Sequence, residues 1–207
     1  MKKRCIIITA LLDCELSEVI KKQEGDFVIC ADGGVVIAEA GGIVPDVVLG
    51  DLDSTDSIDN KYNFIRFPKE KDDTDTMLCL KYGIEKGYRD FVIIGGIGGR
   101  LDHTIANIQT LAYAKTRGIK AKICSCDAVC QMISDGETAE IERKEGFYVS
   151  IFSYSQECEG VSISGTKYVL ENGRIDSSFP LGVSNEFASE KACISVEKGN
   201  LLIILAR

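Results

Sequence analysis

Positive charge is scarce in this chain: 24 Lys and Arg stand against 32 Asp and Glu, for a formal net charge of −8. Binding a phosphate backbone needs clustered cations, so a broad nucleic-acid surface is excluded. Long apolar runs are missing too. Nowhere do eighteen apolar residues follow one another, so no membrane-spanning helix is expected. The apolar run after Met1-Lys2-Lys3-Arg4 ends at Leu12 and gives way to Asp13-Cys14-Glu15, not to a small-residue cleavage site. It reads as a first buried strand and not as a signal peptide. Only three prolines among 45% hydrophobic residues exclude a disordered chain.

Histidine is reduced to one, His103, against nine cysteines. Cys124, Cys126 and Cys130 have a spacing that could hold a metal, yet they lie in an apolar, strand-like stretch far from His103, where buried free thiols are common. An odd number of cysteines spread through apolar runs is a poor disulfide framework, so reduced thiols in a cytoplasmic protein are expected. There is no G-x-S-x-G nucleophile elbow and no cysteine near His103 in sequence.

Up to about residue 127, short apolar runs alternate with segments of helical period, the pattern of a parallel sheet covered by helices. Strands are expected over 4–9, 27–31, 47–49, 64–67, 91–95 and 120–125, with helices over 16–24, 35–40, 74–86 and 103–117. Beyond that point the texture turns to short alternating runs, as at Ala139-Glu140-Ile141-Glu142, broken by Gly and Asn. Residues 194–197 and 201–205, joined across Lys198-Gly199-Asn200, predict a terminal hairpin. The fold class is therefore α/β, with a parallel-sheet, Rossmann-like domain over 1–127 and a smaller all-β domain over 128–207. A unit of some eighty residues is small enough to need a neighbour's support.

Four segments carry the chemistry: Ala31-Asp32-Gly33-Gly34, Gly50-Asp51-Leu52-Asp53-Ser54, Lys71-Asp72-Asp73-Thr74-Asp75, and Gly95-Gly96-Ile97-Gly98-Gly99-Arg100-Leu101-Asp102-His103. Each follows an expected strand or opens an expected helix, so in a parallel sheet all four converge on the carboxyl edge, where such sheets bind ligands. Asp51 and Asp53, two apart on extended chain, project to one side and repel unless a cation such as Mg²⁺ lies between them. An Asx-type turn with Ser54 or Asp53 as a helix cap is the competing reading. Acidic residues in a first helical turn are favoured by the helix dipole, but three aspartates crowding one turn exceed that need, and Asp75 is the one most economically turned toward the same metal. Four glycines in the six residues from Gly95 let the backbone approach a ligand and point N–H groups at phosphate, with Arg100 as a fork-shaped cation beside them. A plain tight turn with Asp102 as N-cap would use the same residues. The pattern is neither a dinucleotide fingerprint nor a P-loop. His103, at the helix start, reads as a hydrogen-bonding group and not as a metal ligand or base.

Taken in order, these segments resemble those of thiamine pyrophosphokinases, enzymes that move a pyrophosphoryl group from ATP to the hydroxyl of thiamine. The resemblance extends through Phe67-Pro68-Lys69-Glu70 and into the second domain at Ser164-Gly165-Thr166-Lys167-Tyr168 and Gly182-Val183-Ser184-Asn185-Glu186-Phe187. It implies a β-sandwich second domain and a homodimer whose active site lies between one subunit's catalytic domain and its partner's sandwich. It implies Mg²⁺ on Asp51, Asp53 and Asp75, which with Arg100 form the catalytic set. Asp32, Gly33, Ser54, Thr74, Arg100, Asp102, His103 and Asn107 would serve ATP, with Asp72, Ser184 and Asn185 on the thiamine side. Some family members stack a tryptophan on the vitamin; this chain has none, and Tyr168 is the candidate substitute. Two other readings stand beside this one: a metal-dependent D-x-D nucleotide-sugar glycosyltransferase, and a non-catalytic nucleotide or thiamine sensor.

Overall fold

Four consecutive wholly buried residues, Cys5–Ile8, form the first strand, β1, as a continuous apolar run does when both faces of a parallel strand are covered. The computed structural model describes residues 4–50, 61–67 and 72–207. They fall into two compact units, Met1–Cys126 and Asp127–Arg207. In the first, β2 (Phe27–Ala31), β3 (Val47–Gly50), β4 (Phe64–Arg66), β5 (Asp90–Ile94) and β6 (Lys120–Cys124) join β1 in the order β6-β5-β1-β2-β3-β4. Every pairing among these six is parallel. The chain steps outward from β1 to β4 and then returns to β5 on the other side of β1. The strand order thus reverses between β1 and β5, and a parallel sheet opens its ligand crevice at the carboxyl end of such a point.

Four helices connect the described strands: α1 (Leu16–Val19), α2 (Gly34–Ala40), α3 (Asp75–Glu85) and α4 (Leu101–Lys115). α3 packs on β1, β2 and β3, and α4 on β6 and α3. The fit is close enough that a Cβ on Gly83 would lie 2.5 Å from the Phe91 ring, and one on Gly34 would lie 2.1 Å from the Ile8 carbonyl oxygen. The helix expected over 16–24 stops instead at Val19, because one distant and one local side chain take backbone groups that would extend it. Arg4 Nη2 donates to the Lys21 carbonyl at 2.5 Å, and the Gln23 N–H donates to Asp26 Oδ2 at 2.7 Å. The exposed Lys21-Lys22-Gln23-Glu24 run also has no apolar face to bury.

The second unit is all strand among its regular elements. One sheet runs β12 (Gly182–Asn185), β9 (Tyr148–Ser153), β14 (Leu201–Ala206), β7 (Ala128–Ile133); a separate antiparallel sheet runs β11 (Leu170–Asp176), β10 (Glu157–Ser164), β13 (Lys191–Ser195), β8 (Thr138–Glu142). Alternate residues of both sheets, such as Val161, Ile194, Ile151 and Ile203, meet in one core. The terminal hairpin is not formed. β13 pairs with β8 and β10, while β14 pairs with β7 and β9, so the Lys198-Gly199-Asn200 turn carries the chain from one sheet to the other. Glu159 holds that crossing: its carbonyl accepts from the Glu197 and Lys198 N–H groups and its own N–H donates to the Lys198 carbonyl.

The thiols also depart from expectation. Cys14 and Cys126 form a disulfide across 112 residues, with Cα atoms 5.9 Å apart, and the other seven cysteines take no part in a disulfide. Cys14 follows β1 and Cys126 follows β6, and only the sheet brings the two ends to one edge. Cys124 and Cys130 are buried, and no cluster of three metal-ligating side chains occurs among the described residues.

Candidate functional site

At the carboxyl edge of the first unit's strands lies a cavity of about 440 Å³. Thr9, Ala10 and Leu11 reach it from the end of β1, Ala31 and Asp32 from the end of β2, and Asp73, Thr74, Asp75 and Thr76 from the start of α3. The segment after β5 and the first turns of α4 close it with Gly96, Gly98, Gly99, Arg100, His103, Ala106 and Asn107. The reversal of strand order is what opens this space, because the connections leaving β1 and β5 diverge.

The glycines are dictated by geometry. Gly95 and Gly96 have φ of +76° and +73°, which disfavour any side chain, and a Cβ on Gly95 would fall 1.9 Å from the Leu11 carbonyl oxygen. The turn is tied on both sides: the Gly95 N–H donates to the Cys124 carbonyl at 2.8 Å and the Gly96 N–H to the Leu11 carbonyl at 3.0 Å. Asn107, buried on α4, donates its amide to the Gly96 carbonyl at 2.7 Å. This amide fixes the direction in which the glycine turn faces the cavity. Gly98 continues the turn with its N–H on Thr104 Oγ1 at 3.2 Å.

Arg100 is exposed and forms a fork with Asp102, Nε to Oδ1 at 3.1 Å and Nη2 to Oδ2 at 2.5 Å. The hydrogen bond from Arg100, reinforced by the His103 N–H, holds the Asp102 carboxyl below its ordinary range, and Asp102 in turn raises Arg100. Arg100 lines the cavity; Asp102 does not, and serves as its anchor. The cap of α4 is Arg100 itself, so Asp102 is not the N-cap. Thr74 caps α3, accepting from the Met77 N–H at 3.2 Å. Asp73 is engaged by Lys81 at 2.6 Å, leaving Asp75 as the carboxylate on the first turn itself. Asp32 adopts φ +46°, and a Cβ on Gly50 would approach its Oδ1 to 2.9 Å, so the end of β3 runs hard against this side chain.

Of the residues expected to act here, Asp32, Thr74, Asp75, Arg100, His103 and Asn107 line the one cavity. Gly33, where a Cβ would lie 3.2 Å from that of Ala10, and exposed Asp72 are outside the lining. Asp51, Asp53 and Ser54 fall outside the described residues. The wall formed by Thr9, Ala10 and Leu11 was not anticipated. Its signal was available only through strand order, since the end of the central strand beside the reversal must face the crevice.

In the second unit Tyr168 is exposed and Asn185 is buried. Asn185 spends its amide on Tyr168: its Oδ1 accepts from the Tyr168 N–H at 3.0 Å and its Nδ2 donates to the Tyr168 carbonyl at 2.6 Å. Ser184, at φ +57°, donates its N–H to Ser150 Oγ at 3.0 Å. Asn185 therefore positions the Tyr168 loop, and the Tyr168 ring is exposed with the Lys167 ammonium 5.7 Å from its centroid.

Comparison with known proteins places these features in a family. Residues 19–123 match the family model for the thiamin pyrophosphokinase catalytic domain, and 138–201 match that for its vitamin B1 binding domain. The chain is 32% identical over 183 residues to the thiamine pyrophosphokinase of Bacillus subtilis (strain 168), covering 85% of each. A crystal structure of the thiamine pyrophosphokinase from Bacillus subtilis superposes with a TM-score of 0.85 at 28% identity, covering 99% of both chains. Thiamin pyrophosphokinase from Candida albicans shares the fold, with a TM-score of 0.79 at 15% identity over 99% of this chain and 89% of that one.

Proposed function

We infer that this chain, which belongs to the thiamine pyrophosphokinase family, transfers the pyrophosphoryl group of ATP to the hydroxyl of thiamine, giving thiamine diphosphate and AMP. The observation that carries the reading is that both family domains occur in order along one chain. Family membership decides against a D-x-D glycosyltransferase. An assay with ATP, Mg²⁺ and thiamine that yields AMP and thiamine diphosphate in equal amounts tests the reading; nucleotide binding without turnover would leave a sensor.

We assign the Rossmann-like unit, residues 1–127, to ATP and its metal, and residues 128–207 to thiamine. In support, the cavity combines side-chain-free glycine backbone that a ligand can approach closely, a guanidinium and carboxylates, a set suited to a phosphate chain with a hard cation. Mg²⁺ fits the chemistry of this edge, where Asp32 and Asp75 offer oxygen donors, and Asp51, Asp53 and Asp75 would hold it. When bound, it would neutralise charge on the phosphates. The protein's own part is positioning. The thiamine hydroxyl attacks the β-phosphorus, the bond to the α-phosphate oxygen breaks, and AMP leaves with that oxygen. Arg100 offsets charge on the transferred group, and Asp75 accepts the hydroxyl proton. Gly33, Ser54, Thr74, Asp102, His103 and Asn107 frame the nucleotide, and Asp72, Tyr168, Ser184 and Asn185 form the thiamine side.

The enzyme is proposed to act as a cytoplasmic homodimer, with the thiamine side supplied by the partner subunit. Exposed Tyr168, Val169, Phe179, Leu181 and Val183 on the second unit support a buried interface there. Mixing an Asp75→Asn chain with a Ser184→Trp chain restores activity through heterodimers if the site is shared. No recovery after confirmed subunit exchange refutes sharing.

A further inference from the structure

Two ties hold the wall after β1 to the rest of the cavity edge. The first is the Leu11 carbonyl, which accepts from the Gly96 N–H, while the Leu11 side chain lies against Gly99, where a Cβ would come within 3.1 Å of Leu11 Cδ2. The second is the Cys14–Cys126 disulfide, three residues beyond Leu11 on one side and two beyond Cys124 on the other. Cys124 is the residue whose carbonyl receives the Gly95 N–H. Disulfide, β1 loop, glycine turn and end of β6 therefore close a ring around one side of the cavity.

We propose that Cys14 and Cys126 are a reversible thiol–disulfide site whose redox state sets how firmly the cavity binds nucleotide. The proposal rests on reading that cavity as the ATP site. Both sulfurs belong to half-buried residues, whereas Cys5, Cys30, Cys79, Cys124, Cys130 and Cys158 are buried. Burial pushes the Cys30 thiol up to about 12 and Cys5 higher still, so these are poor partners for exchange. Disulfides in cytoplasmic proteins are usually transient and redox-sensing, which suits a pair at a site edge better than a structural staple.

The chemistry needs only a low-molecular-weight dithiol. Its thiolate attacks one sulfur and the Cys14–Cys126 bond breaks, leaving a mixed disulfide on one cysteine and a thiol on the other. The reagent's second thiol then displaces the cysteine and departs as a cyclic disulfide. Two electrons and two protons pass to the protein. With the bond open, residues 12–14 regain freedom, and the Thr9-Ala10-Leu11 wall must be ordered again at each binding event. Ordering a few side chains corresponds to a roughly three- to tenfold weaker Kd.

The test uses the full chain, air-oxidised, and a fluorescent ATP analogue titrated with and without dithiothreitol. Thiol titration in denaturant should find seven thiols before reduction and nine after, seven being the cysteines outside the disulfide and two more coming from the bond. Kd should rise three- to tenfold on reduction, and Cys14→Ser and Cys126→Ser should sit at the weaker value and ignore the reductant. If a serine variant does not fold, mild reduction and alkylation of the parent gives the same locked-open state. Nine thiols in the oxidised chain, equal Kd in the two states, a Cys14→Ser protein that still responds, or no nucleotide binding in either state overturns the proposal. A chain that shows the shift but makes no thiamine diphosphate keeps this inference and loses the assigned reaction.

Discussion

Asn107→Ala isolates the contact on which the glycine turn depends. The Asn107 amide is buried and donates to the Gly96 carbonyl at 2.7 Å, and Gly96, at φ +73°, has no side chain with which to hold itself. Removing the donor leaves a buried carbonyl without this partner, at a cost of about 1–3 kcal/mol. If the turn keeps its shape, that cost appears as lost stability. If the turn rotates to find water, the cost is moved to binding, since Gly96, Gly98 and Gly99 line the cavity assigned to ATP and would be displaced with it. At about 1.4 kcal/mol per tenfold change, 1–3 kcal/mol corresponds to a rise in the KM for ATP of roughly five- to 150-fold. Steady-state kinetics with ATP varied at saturating thiamine, together with a urea denaturation curve, separates the two routes. A KM within twofold of the parent together with an unchanged urea midpoint would refute the reasoning.

Three further outcomes are expected. Asp51→Asn should fold normally and lower turnover by about two orders of magnitude or more, as loss of a metal ligand does; near-parental turnover at limiting Mg²⁺ removes Asp51 from the metal. Asn185→Ala should raise the KM for thiamine while leaving that for ATP in place, because the amide holds the Tyr168 backbone at 3.0 and 2.6 Å; equal rises for both substrates would make its role one of general stability. Burial works hardest on the Asp26 carboxyl and pushes it up, but the Arg4 hydrogen bond, the Gln23 N–H and the Arg4 and Lys22 charges together outweigh it and hold Asp26 below its ordinary range. Its contribution is therefore present above the unfolded carboxylate value of about 3.9 and is lost as pH falls through the lower folded value. Thermal melts between pH 6 and 3 should lose less stability in Asp26→Asn than in the parent; parallel curves would show that the Arg4–Asp26 pair carries no acid sensitivity.

Much of the site was legible in the chain because its signals are local. An apolar run such as Cys5–Ile8 has to be buried, aspartates ahead of a periodic segment mark the start of a helix, and glycines clustered before Arg100 announce close backbone approach whatever the fold around them. That locality placed Asp32, Asp75 and Arg100 at one sheet edge before any coordinates, whereas Asn107 entered only through the family resemblance. The main misreadings were long-range. Residues 194–205 have the alternation and turn of a hairpin, but alternation only says that each strand has one buried face, not which sheet supplies the cover. The segment after Val19 has helical residues, yet Arg4 claims the Lys21 carbonyl from a distance while Asp26 turns back locally on the Gln23 N–H.

What the sequence determined by itself was composition, periodicity and the order of the chemical words, and with them the two-part architecture and the family. What only the tertiary structure decided was adjacency: that β1 lies beside β5, so that the Leu11 wall faces the glycine turn, and that Cys14 meets Cys126 across 112 residues. The reason is physical. Side-chain preferences and capping act within a few residues, whereas strand order is set by the packing of the whole sheet, and no spacing along the chain encodes which ends that packing will bring together.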